Sequence, residues 1–136
     1  MNGLLLTSLI FALSLPNHLQ TDGLPDNQEI SFRCTASWYS EEDPGILKTT
    51  ANMETFDDEK LTCAMWGVPF GTMLKVTNLD SGKSVLVRVN DRGPAKRLVS
   101  EGRLIDLTKK AFSGIASLDE GLIQVKVQIT KGQRPY

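Results

Sequence analysis

Two carboxylates, Asp91 and Asp106, each stand at or near the end of a short apolar run. Asp91 closes Ser84-Val85-Leu86-Val87-Arg88-Val89-Asn90-Asp91, where Val85, Val87 and Val89 alternate as in a half-buried strand, and Arg92-Gly93-Pro94 stops the run. Asp106 follows Arg103-Leu104-Ile105 and precedes Leu107-Thr108. Acids delivered to strand ends by a rigid scaffold suit general acid/base work on a glycosidic bond, or the grip on a sugar. Each also has a plainer reading. An Asp at a strand-to-turn junction bonds backbone amides two residues on, and an Asp just ahead of a helix serves its exposed amides and dipole. Glu54, in a polar stretch, would ordinarily be solvated.

Other side chains qualify this pair. Trp38, Tyr39 and Trp66 offer flat faces to a sugar ring, although large aromatics in a small domain more often fill the core. Arg88 and Arg92 either bind anionic groups or pair with the acids, and the second role would keep the acids ionised and oppose proton donation. A metal centre is not expected, because two Cys without a nearby His do not complete a four-coordinate site. The single His, His18, lies close to the N-terminus.

The elements that position these residues read mostly as strands. Residues 31–40, 72–79, 84–90 and 123–130 carry strand patterns, the last the cleanest, with Ile123, Val125, Val127 and Ile129 alternating with polar residues. Asp80-Ser81-Gly82 reads as a hairpin turn. Residues 41–60 form a long polar loop with a turn at Asp43-Pro44-Gly45, and residues 61–66 fit a short helix. A helix over 109–116 has Thr108 as its N-cap, with Leu107 and Phe112 placed as a hydrophobic staple. Five or six short strands with one or two small helices in about 100 residues make a mainly-β fold, most simply a small closed barrel.

Composition bounds the function. The chain has 136 residues, 40% of them hydrophobic, and a formal net charge of −1. That suits one globular domain and argues against a nucleic-acid binder, which carries a clustered basic excess. Residues 1–20 hold no Lys, Arg, Asp or Glu, and the apolar run from Leu4 to Leu15 fits a secretory signal while being too short to span a bilayer. The expected organisation is a signal over 1–20, a linker over 21–30, the barrel domain over 31–131 and a tail over 132–136. No Cys follows the apolar run, so a lipid anchor is not expected, and the mature protein is expected to lack an integral membrane span and to be a monomer. In an exported chain the even count of two cysteines suggests a Cys34–Cys63 disulfide, with two unlinked thiols as the alternative. Closing a loop of about 30 residues would contribute roughly 3–4 kcal/mol.

Eight blocks extend the reading: Ala36-Ser37-Trp38-Tyr39, Thr50-Ala51-Asn52, Glu54-Thr55-Phe56-Asp57, Leu61-Thr62-Cys63-Ala64, Pro69-Phe70-Gly71-Thr72, Val76-Thr77-Asn78, Val87-Arg88-Val89-Asn90-Asp91-Arg92-Gly93-Pro94 and Ile105-Asp106-Leu107-Thr108. In this order, over residues 34–130, they resemble the rare lipoprotein A (RlpA) family. The resemblance implies a six-stranded double-psi β-barrel, exported to the periplasm or cell wall. It implies an endolytic lytic transglycosylase that cleaves denuded peptidoglycan glycan strands to 1,6-anhydromuramic ends, with no cofactor. It makes Asp106, Asp91 and Glu54 the candidate catalytic residues and Trp38, Tyr39 and Arg92 the candidate substrate contacts. Met65 stands where the family carries a His, and Met53 where it carries a Gly. A transglycosylase can run on one carboxyl group, since no water is activated. The alternative is a non-catalytic expansin-like barrel that binds cell-wall polysaccharide, and a third reading is a barrel that binds a protein partner.

Overall fold

The computed structural model describes residues 29–130, so the expected signal over 1–20, most of the linker and the tail lie outside the described residues. Six strands form a closed barrel: β1 (Glu29–Tyr39), β2 (Thr62–Met65), β3 (Met73–Asn78), β4 (Ser84–Asp91), β5 (Arg103–Thr108) and β6 (Ile123–Thr130). Around the barrel the order is β1-β5-β2-β4-β3-β6, and β6 closes on β1. The β1–β5 and β2–β4 pairs are parallel and the other four antiparallel. This is the expected double-psi arrangement. Two short helices, α1 (Lys96–Val99) and α2 (Lys109–Ser113), and a 3-10 turn at Leu118–Glu120 lie between strands.

The alternating residues build the interior. Leu74, Val76, Val87, Val89, Ile105, Leu107, Val125 and Val127 are fully buried, and Phe112 from α2 joins the same cluster. Thr108 caps α2 by accepting from the Ala111 amide, as its position before the helix predicts. The helix stops at Gly114, shorter than the expected 109–116.

Three expectations are corrected. β1 begins at Glu29, inside the expected linker, because Glu29 and Ile30 pair with Thr130 and Ile129. Residues 61–66 hold a strand rather than a helix: all four residues of β2 are buried, and a strand covered on both faces shows no period-2 signature to separate it from a buried helix. The third concerns the cysteines, which are both free and buried. Cys63 lies level with Leu107, and Leu107 with Trp38 of β1. Cys34 is four residues back along β1, about 13 Å in the strand direction, far beyond the roughly 7 Å that a disulfide spans. Burial pushes the Cys34 thiol up to about 12 and Cys63 above its usual range, so neither is a reactive thiolate.

Candidate functional site

The site grows from the position of β2 between β4 and β5. Ala64 is in register with Asp91 on β4 and with Asp106 on β5, so the two acids flank one residue. Asp106 takes the outward position between Ile105 and Leu107, both core residues. Asp91 reaches the outer face by a slip in register. Cys63 faces Val89 but Ala64 faces Asp91, leaving Asn90 as an extra residue. Plain alternation after Val87 and Val89 would turn Asp91 into the core, and one inserted residue reverses the side on which it emerges. A second slip, between Thr35 and Ala36 on β1, leaves Leu104 as the extra residue of β5 and puts Arg103 on the same face as Asp106.

Each acid has one oxygen tied down. Asp106 Oδ1 accepts a hydrogen bond from the buried Ser37 hydroxyl and from Arg103, whose Nη2 and Nε lie 3.2 and 3.3 Å away. Among the described residues no donor reaches Asp106 Oδ2, which borders Gly93: a Cβ there would stand 3.5 Å from it and 3.4 Å from the Ala64 methyl. Asp91 Oδ1 accepts from the backbone amides of Ala51 and Arg92, both at 2.9 Å, and its Oδ2 takes a long 3.4 Å bond from the Tyr39 hydroxyl. Tyr39 is stacked on Phe56 at 4.7 Å and packs with it against Ala64, forming the floor between the acids. Burial, then the Asp91 charge, push the phenol above its usual range, so it remains a donor.

Glu54 lies beside this pair in a different role. Arg88 grips it through two bonds of 2.6 and 2.9 Å, and the side-chain amides of Asn52 and Asn90 add bonds of 2.9 and 3.1 Å. The Arg88 hydrogen bonds, with those amides, hold the Glu54 carboxyl down at about 2. A group so acidic donates no proton near neutral pH. It fastens the loop that delivers the Ala51 amide to Asp91. In that loop Met53 sits at φ +72°, exposed, in the left-handed region that favours Gly. Gly adopts this conformation without strain, in keeping with the Gly that the resemblance implies at this place.

The expected substrate contacts are only partly placed for contact. Tyr39 is buried beneath the acids. Trp38 leans on Phe112, and its Nε1 donates to the Leu118 carbonyl at 3.1 Å, a packing role. Arg92 donates to the Met65 carbonyl at 2.8 Å and lies 3.8 Å over the Phe70 ring. The Met65 side chain is fully buried in the core, not at the edge of the site. Ser37 and Arg103 were not foreseen. A strand without slips places residues 103 and 106 on opposite faces, and nothing in the local sequence marks the extra residue.

The profile of the lytic transglycolase family matches residues 31–127. Among curated proteins, the endolytic peptidoglycan transglycosylase RlpA of Campylobacter jejuni is 43% identical over 95 residues, covering 69% of this chain and 32% of its own length. The protein of the same name in Pseudomonas aeruginosa is 42% identical over 106 residues, covering 76% of this chain and 29% of its own length. The chain thus spans about a third or less of those relatives. Among solved structures, an expansin of Clavibacter michiganensis aligns with a TM-score of 0.58 at 19% identity, covering 78% of this chain and 52% of its own. The Streptomyces papain inhibitor aligns at 0.56 and 20% identity, covering 78% of this chain and 98% of its own. These last two likenesses speak to the fold alone.

Proposed function

We propose that this chain, which belongs to the lytic transglycolase family, cleaves peptidoglycan glycan strands internally and leaves 1,6-anhydromuramic ends. It would do so as an exported monomer acting in the periplasm or cell wall, without a cofactor. The relatives named as endolytic peptidoglycan transglycosylases support the reaction class. The observation that carries the reading is the placement of Asp91 and Asp106 on either side of Ala64.

Asp106 is the proton carrier in this reading. Ser37 and Arg103 fix its Oδ1, which leaves Oδ2 to serve the substrate. The step needs the Arg103 ion pair to open first; Oδ2, protonated, then gives its proton to the bridging oxygen as the bond from that oxygen to C1 of the muramic sugar breaks. As a carboxylate it then takes the proton of the C6 hydroxyl, whose oxygen closes on C1. The carboxyl group ends as it began and no water is consumed. Asp91, held by two backbone amides, supplies negative charge beside the oxocarbenium-like centre. Glu54 and Arg88 keep the Ala51 amide in place. Tyr39 forms the floor between the acids, and Arg92 lies beside them over Phe70.

Asp106→Asn should abolish release of anhydro ends, falling at least about 100-fold, because an amide neither gives nor takes the proton. Strand binding should change far less, since only the transition state needs the transfer. Mass spectrometry of denuded strands after incubation reads the products, which are one water lighter than those of hydrolysis. Wild-type protein that binds such strands yet releases no anhydro ends at any pH from about 4 to 8, where carboxyl acid catalysts operate, would instead support the expansin-like binder. Met65 in place of His favours that second reading.

A further inference from the structure

Two residues beyond Ala64 the chain leaves β2 at Trp66. The indole Nε1 donates to the Pro94 carbonyl at 2.7 Å, and Pro94 follows Gly93, the residue that borders Asp106 Oδ2. The ring is therefore pinned to the segment that edges the acid. Its attachment point lies roughly 8 Å from that of Asp106, one strand across and two residues along. Lys96, exposed on α1, holds its Nζ 4.9 Å from the centre of the Trp66 ring. Trp66, Gly67, Lys96 and Val99 line an open pocket of about 460 Å³, within the size range of small-ligand sites.

None of these groups takes part in breaking the bond. The indole N–H is already spent on backbone. What the pocket offers is a flat π face with the Lys96 ammonium lying over it, and space, with no carboxylate among the described residues of its lining. A pyranose ring that stacks its C–H face on the indole displaces the exposed Lys96 from over it, and the displaced ammonium pairs with a carboxylate carried by the sugar. In a glycan strand only the muramic residues carry such a group, on the lactyl ether. It is a free anion when no peptide is attached and a neutral amide when one is.

We propose that Trp66 and Lys96 form a subsite for a muramic residue whose lactyl carboxylate is free, adjoining the point of cleavage. The inference rests on the reading of this chain as a glycan-strand transglycosylase, and it gives the chain a charge-based reason to select strands without peptides.

The test measures calorimetric binding of three ligands: denuded strands, the same strands with their lactyl carboxylates converted to primary amides, and chitin oligomers. Wild-type protein should bind denuded strands about 2–5-fold more tightly than either neutral ligand, the size of one exposed charge-assisted contact. Lys96→Met keeps the aliphatic stem on an exposed position, so it should fold normally and bind all three alike. Lys96→Arg should restore the preference. On strand cleavage, Lys96→Met should raise KM by more than it lowers kcat. A preference that survives Lys96→Met, or its absence from wild-type protein, overturns the subsite. Preference without anhydro products removes the enzyme reading and leaves the subsite standing, whereas anhydro products without preference do the reverse.

Discussion

Glu54 shows how a side chain's partners decide its chemistry. Its sequence position made it a candidate acid, yet the Arg88 fork and two amides hold it ionised down to about 2. A carboxyl group depressed in the folded state stabilises the protein fully above its unfolded value near 4.5, and that stabilisation is lost as pH falls toward 2. Glu54→Gln should therefore cost a constant increment of stability from pH 8 to 5, and the difference from wild type should vanish as pH approaches 2. About a third of each side chain is exposed, so solvent screening limits the increment to about 1 kcal/mol. Urea midpoints across that pH range would check it. A cost that grows on acidification would contradict the assignment. At this scale the sequence showed which carboxylates exist, but not that Arg88 belongs to Glu54 and Arg103 to Asp106. Those pairings are set by contacts 34 residues apart in one case and by a slipped strand in the other.

Strands with one solvated face were legible from alternation, as β3, β4 and β6 attest. β2 was not, because burial on both faces erases the period. The extra residues Asn90 and Leu104 were equally hidden, since either strand reads as unbroken alternation until its partner is seen. They matter most for chemistry, because a one-residue slip decides whether an acid faces core or solvent. The cysteines failed at the same level: their even count was visible, the offset between β1 and β2 was not. Cys34 and Cys63 are thus expected to contribute no covalent stability. Melting temperatures with and without excess reductant should agree within about 1 °C, whereas a native disulfide worth about 2–4 kcal/mol would lower the reduced value by many degrees. Non-reducing mass spectrometry should find two thiols in the folded protein.

As a whole, the molecule answers to topology. Closing six strands into a barrel leaves no sheet edge unpaired, and it brings β1, from the start of the described chain, against β6 at its end. Glu29 sits opposite Thr130 in an antiparallel ladder. The points of entry and exit therefore coincide, and the connectivity that happens to be cut there is one choice among several. A circular permutant that joins residue 130 to residue 29 through a short glycine-rich turn, and opens the chain at the exposed Asp80-Ser81-Gly82 hairpin, should fold to the same barrel. Its amide chemical shifts should match those of the original except near the two junctions. Suspended in a longer polypeptide, such a domain occupies a single point on the thread. It can be added or removed without altering the span between whatever lies on either side.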